Sequence, residues 1–146
     1  MTVHFAPAPS ATERLEAALR RLTERHAFTR VDAAFEPPAG TAVLLLSDDP
    51  QRSPEALDVI VVLPEALRAL GRPLCACVAD AEVSAVLARR FGVARLPAVV
   101  AFRDGAWLGA FSGILDWAPF VTELARLLDA PPGRPPIFVA SAEARP

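Results

Sequence analysis

Leu15, Ala18, Leu19 and Leu22 recur at three- and four-residue spacing, with Glu13, Glu16, Arg20, Arg21 and Glu24 around them. One apolar stripe backed by charge predicts a helix over about 11–27, with Ser10 or Thr12 as its N-cap. Thr29 to Phe35 reads as a short strand, and Glu36 to Gly40, holding two prolines and a glycine, is a breaker. Thr41 to Leu46 is apolar without alternation, the pattern of a strand covered on both faces. A polar loop, Ser47 to Pro54, follows it.

The next helix is marked at its end, where Leu63, Leu67 and Leu70 form a stripe before Gly71 and Pro73. Its start falls near Pro54 or, with Asp58 as N-cap, near Val59. Val59 to Val62 alone also suits a strand, and Pro64 is expected to kink or limit the helix. Pro73 to Ala79 is a further apolar strand ending at Asp80. Glu82 to Phe91 is a helix closed by Gly92. Pro97 to Arg103 and Ala106 to Ser112 are strands joined by the hairpin signal Asp104-Gly105. Asp116 to Leu128 closes the order as a helix with Phe120, Leu124, Leu127 and Leu128 inward. Ile137 to Val139 would add a short contact within an otherwise loose end.

The β-α-β alternation implies parallel pairing by a right-handed crossover, and the hairpin adds antiparallel strands. The fold class is α/β, a mixed sheet with helices on both sides. Residues 1–130 form one domain and 131–146 a Pro-rich C-terminal tail.

At 53% hydrophobic and 22% charged, the chain buries a core rather than remaining disordered. No apolar run approaches the eighteen or so residues of a membrane span. MTVHFAPAPS shows neither a basic nor an apolar signal region, so the expected location is the cytoplasm without membrane insertion. The net charge is -2, and every one of the fifteen basic residues is Arg. Such a chain has no long-range field for nucleic acid, which is excluded as a partner. Arg14, Arg20, Arg21 and Arg25, mixed with acids, form a solvated face.

Reactive side chains are few. Cys75, Cys77, His4 and His26 would have to meet from three distant places to hold zinc, and the cysteines are too close for the usual knuckle. Neither histidine has the setting of a buried, oriented base. No metal, cofactor or catalytic residue is expected. Cys75 and Cys77, two apart in a strand, share one face. They read as buried small apolar residues, with a C-x-C thiol-disulfide oxidoreductase as the rival reading. Trp107 and Trp117 read as packing residues, with peptide contact as their other use.

The run FGVARLPAVVAFRDG at 91–105 resembles the thioredoxin-fold segment in which a helix passes through F-G-V into a cis-proline and a strand-turn-strand. Asp80 and Gly113 also fall where that fold expects them. The resemblance spans about 41–128 and implies a three-layer α/β/α domain with a cis Leu96–Pro97 bond. The C-x-x-C of thioredoxin chemistry is missing. Aligned without gaps, Arg52 and Glu55 stand where the thiols would be.

The run VLLLSDDPQRSPEALD at 43–58, then Ala79-Asp80, RFGVARLPA at 90–98 and GILDWA at 113–118, resembles the HyaE/HupG/HoxO hydrogenase expression and formation proteins. The resemblance implies a non-catalytic accessory chaperone in maturation of a nickel-iron hydrogenase. It would bind the hydrogenase small subunit through its twin-arginine signal peptide before export, with other hydrogenase accessory proteins as further partners. Strand addition at the residue before the cis-proline is the matching physical mode. The expected partner-binding residues are Asp48, Asp49, Arg52, Glu55, Asp58, Leu96 and Pro97, since carboxylates pair well with arginine.

Overall fold

The computed structural model describes residues 7–136, so Ile137 to Val139 lie outside the described residues. Helix α1 (Ala11–Arg25) opens on Ser10, whose hydroxyl accepts from the Glu13 N–H while the Glu13 carboxylate accepts from the Ser10 N–H. This reciprocal capping box selects Ser10 over Thr12 as the start. The helix stops two residues before Ala27, which has φ 58° and leaves helical geometry. Strand β1 is only Thr29–Arg30, shorter than expected. Asp32 ends it, its side chain accepting from the Ala34 N–H and its carbonyl from the Phe35 N–H.

Strand β2 (Thr41–Leu46) has the bounds its apolar run predicts, and all but its first residue are buried. Helix α2 (Ala56–Leu70) begins between the two expected starts. Asp58 lies in its first turn and does not cap it; Glu55 precedes it without a side-chain cap. Pro64 neither ends nor limits α2. The helix forgoes one hydrogen bond there, while Val59, Ile60, Leu63 and Ala66 hold its buried face against the core. Gly71, at φ 64°, closes it with an N–H donated to the Leu67 carbonyl. Strand β3 (Cys75–Ala79) starts two residues after Pro73, and α3 (Ala81–Arg90) follows, capped by Asp80. Strands β4 (Ala98–Arg103) and β5 (Ala106–Ser112) form the hairpin, and α4 (Trp117–Asp129) completes the order.

The sheet order is β1-β3-β2-β4-β5. β1, β3 and β2 are parallel; β4 is antiparallel to β2, and β5 to β4. Alternation along β2 feeds two cores. Val43 and Leu45 face α1, α2 and α4; Ala42, Leu44 and Leu46 face α3 with the Phe35, Phe91 and Phe102 cluster. The result is three layers with β2 at the centre. Residues 131–136 run back onto the domain, where the Gly133 N–H donates to the Trp107 carbonyl of edge strand β5 at 2.8 Å. Among the described residues no helix is long and apolar enough to cross a membrane.

This topology brings four connections to one end of the sheet. They are the loop after β2, the β3–α3 turn at Asp80, the Leu96–Pro97 turn before β4, and the loop after β5. In an open α/β sheet, the carboxyl ends of the parallel strands are where ligands bind.

Candidate functional site

The loop after β2 is built around one buried carboxylate. Asp48 is 7% exposed. Its Oδ1 accepts from Arg52 Nε and Nη2 at 3.2 and 3.0 Å and from the Asp49 N–H at 2.8 Å; its Oδ2 accepts from Ser53 Oγ at 2.7 Å. Burial alone would raise this carboxyl. The bonds from Ser53, Arg52 and Asp49 outweigh that and hold it below the usual carboxylate range. Asp48 therefore pins the loop, with its acceptor sites filled from within the chain. Asp49 turns the chain: its carbonyl accepts from the N–H groups of Arg52 and Ser53, and its Oδ1 from the Gln51 N–H.

Beside this loop lies a cleft of about 570 Å³ at the C-terminal ends of β2 and β3. Asp49, Pro50 and Arg52 line one wall; Asp80 and Glu82 come from the start of α3, and Glu16 from α1. Arg30 spans the far side, forking onto Glu16 at 2.6 and 2.9 Å and reaching Asp80 at 3.2 Å. That fork holds Glu16 below its ordinary value. Asp80 also caps α3, accepting from the Val83 N–H at 2.9 Å, and Glu82 sits in that helix's first turn, where the dipole favours an anion. Four carboxylates, Glu16, Asp49, Asp80 and Glu82, line the cleft; Arg30 pairs with Glu16 and Asp80, and Arg52 is engaged by the buried Asp48. The cleft carries excess negative charge in position to receive a cation.

The Leu96–Pro97 bond is cis. The Leu96 carbonyl lies 3.1 Å from Ser53 Oγ, which donates toward it, and among the described residues the Leu96 N–H donates no hydrogen bond. The Pro97 carbonyl accepts from the Gly113 N–H at 2.8 Å. Of the seven residues expected at a partner site, the structure gathers Asp48, Asp49 and Arg52 in the loop and places Leu96 and Pro97 against its Ser53 side. Glu55 and Asp58 stand at the start of α2 and do not line the cleft.

Two features escaped the sequence. Glu16 and Arg30 reach the site from α1 and β1, far along the chain, and no local pattern marks them. Ser53 joins the loop to the Leu96 turn, yet a lone serine in a polar loop carries no signal of that.

The thiols lie elsewhere. The Cys75 and Cys77 sulfurs are 3.9 Å apart, unbridged. Cys77 is 3% exposed; burial and then the Cys75 neighbour push its thiol up to about 12, so it stays protonated and unreactive at neutral pH. Cys75 pairs in register with Ala42, whereas Ala98, next to Pro97, pairs with Leu46. At about 3.3 Å rise per residue and 4.8 Å between strands, Cys75 is separated from Pro97 by more than ten ångströms along the sheet and by two strand spacings across it. That separation disfavours the thiol oxidoreductase reading. Among the described residues no three His, Cys, Asp or Glu side chains converge on a metal position.

Comparison with known proteins agrees with this architecture. A chain from a structural study of thiol resolution in yeast mitochondrial 1-Cys peroxiredoxin via the glutathione/thioredoxin systems superposes with a TM-score of 0.54 at 15% identity, covering 70% of this chain and 93% of that one. This shows the thioredoxin-like fold alone. The hydrogenase expression/formation protein HoxO of Cupriavidus necator is 38% identical over 138 residues, covering 90% of this chain and 85% of that protein. HupG of Bradyrhizobium diazoefficiens, also a hydrogenase expression/formation protein, is 37% identical over 118 residues, covering 75% and 80%. The family described as Hydrogenase-1 expression protein HyaE matches residues 18–120, a span that runs from α1 into α4 and includes the pinned loop, Asp80 and the Leu96–Pro97 turn. The chain belongs to the HyaE family of hydrogenase expression proteins, with a role in hydrogenase maturation.

Proposed function

We propose that this protein is a non-catalytic binding module that holds the hydrogenase small subunit, through its twin-arginine signal peptide, in the cytoplasm before export. The observation that carries the reading is the excess of carboxylates in the cleft, on the other side of the same loop whose Ser53 reaches the Leu96 carbonyl. A paired arginine presents planar donors suited to those carboxylates. Among the described residues the Leu96 N–H has no acceptor, and its carbonyl keeps a second lone pair beyond the one facing Ser53, so an extended peptide can pair there. Other hydrogenase accessory proteins would join through surfaces outside this end.

Fluorescence anisotropy with the labelled signal peptide of the small subunit tests this. Binding should weaken with salt, since exposed pairs are screened over about 10 Å at roughly 0.1 M ionic strength. Changing both peptide arginines to lysine should weaken it further. Asp49→Asn with Glu82→Gln should lower affinity on the order of two- to thirtyfold, at about 0.2–1 kcal/mol per exposed pair. Glu55→Gln with Asp58→Asn reports whether the acidic face extends onto α2. Affinity indifferent to salt, to the lysine exchange and to the cleft substitutions would refute the reading.

A further inference from the structure

Two of the four large apolar side chains exposed among the described residues lie within three positions of each other. Leu115 is 41% exposed and Trp117 50%. Trp117 is thus not the packing residue the sequence suggests. Leu115 lies on the loop between β5 and α4, and Trp117 is the first residue of α4. That loop is tied to the Leu96–Pro97 turn twice: the Gly113 N–H donates to the Pro97 carbonyl and Ser112 Oγ to the Arg95 carbonyl, both at 2.8 Å. Half-buried Leu96 packs against the Phe35, Phe91 and Phe102 core. Arg95 and Asp116, the charges on this side, offset each other. Scattered apolar residues are ordinary on a surface, but an exposed Leu and Trp two positions apart, just after a segment bonded to the Leu96–Pro97 turn, are placed to contact a partner that pairs there.

Strand order sets where this apolar side lies. Across the end of the sheet come Asp80 after β3, Asp49 and Arg52 after β2, Leu96–Pro97 before β4, and Leu115 and Trp117 after β5. Charge lies at one side, open backbone in the middle and apolar surface at the other. Three strand spacings, roughly 14 Å, separate the two sides, the reach of about four extended residues.

We propose that Leu115 and Trp117 form the apolar half of a two-part peptide site, whose occupant is one extended segment with cations at one end and an aliphatic stretch about four residues away. The inference rests on the cleft reading for its cationic half only. Joining two weak contacts in one ligand raises affinity well beyond either, provided the spacer matches the span.

The test uses the full chain and three synthetic peptides: two arginines, a four-residue Gly/Ser spacer and a Leu-rich tetrapeptide; the same with the arginines changed to Gln; and the same with the leucines changed to Ser. The complete peptide should bind at least about tenfold more tightly than either half-peptide. Leu115→Ser with Trp117→Ala should reduce it to the level of the cationic half-peptide and leave that half-peptide unaffected. Both residues are exposed, so the thermal melt of the variant checks its fold. A spacer series on the wild-type protein, with an optimum near four residues, needs no variant at all. Unchanged affinity in the double variant together with no spacer optimum would overturn the apolar half while leaving the cleft reading standing. Binding that needs the leucines and Trp117 but ignores the arginines would support the apolar half and remove the cleft reading. Failure of all three peptides to bind would overturn both.

Discussion

The Ser53 hydroxyl oxygen lies 3.1 Å from the carbonyl oxygen of Leu96, across forty-three residues of sequence. The same hydroxyl is 2.7 Å from Asp48 Oδ2. It has one proton and two acceptors, and the carboxylate is the stronger. The Leu96 carbonyl is therefore only partly engaged, and the Ser53 side chain ties the loop after β2 to the turn before β4. A partner pairing with Leu96 would meet a backbone whose position depends on Asp48.

Ser53→Ala removes a donor from a buried carboxylate as well as the link to Leu96. Leaving such a group short of a partner costs about 1–3 kcal/mol. Urea unfolding should show that loss with the slope unchanged. Peptide affinity should fall as well, because the turn loses its tether. Full stability in Ser53→Ala would mean that Arg52 and the Asp49 N–H suffice to hold Asp48.

Asp48 also sets a pH dependence. Its folded carboxyl lies below the unfolded value of about 3.9, so its contribution is complete above that value and is lost as pH falls through the folded one. Asp48→Asn keeps the size but loses the charge-assisted bonds to Arg52. The variant should be less stable at neutral pH, and the gap to wild type should narrow below about pH 4. Chemical unfolding at a series of pH values measures this, and a gap independent of pH would mean that the Asp48 charge contributes nothing.

The sequence made the fold legible where one signal dominated. Thr41–Leu46 is apolar on both faces because the strand lies at the centre of the sheet, and its bounds follow. Ends governed by competing signals moved. Asp58 reads as a cap, yet the Arg52 and Ser53 N–H groups already donate to the Asp49 carbonyl and start the helical path earlier. Pro64 looked like a stop, yet the buried face of α2 carries through it. The acidic loop was legible because its carboxylates are contiguous. That Asp48 is consumed by the loop, and that Glu16 and Arg30 complete the cleft, depends on packing between elements far apart in the chain.

The two thiols should differ sharply in reactivity. Cys77 is buried and shifted up to about 12, whereas Cys75 is half-buried near the start of β3. A thiol-specific disulfide reagent at neutral pH should titrate no more than the Cys75 sulfur quickly, and the second only on unfolding. Insulin reduction with dithiothreitol as electron source should not exceed the protein-free rate. Turnover abolished by Cys75→Ser or Cys77→Ser would reinstate the oxidoreductase reading.

Gly92 was legible as a helix stop, and its φ of +66° fits that role. The structure gives it a second constraint. A Cβ built there would overlap the Pro136 carbonyl and fall 2.8 Å from the Pro136 ring nitrogen and Cδ, in the segment that lies over edge strand β5. Gly92→Ala should therefore be penalised twice. The left-handed conformation costs about 1–2 kcal/mol for a residue with a Cβ. Displacement of residues 131–136 adds to that, because it also frees the Trp107 carbonyl bonded to the Gly133 N–H. The two parts separate in a double-mutant cycle with a chain truncated after Ala130. In the truncated background Gly92→Ala should lose only the conformational part; in the full chain it should lose more, and the Pro131–Pro136 segment should become accessible to limited proteolysis. An equal loss in both backgrounds would place Pro136 away from Gly92 and leave the backbone angle as the whole reason for the glycine.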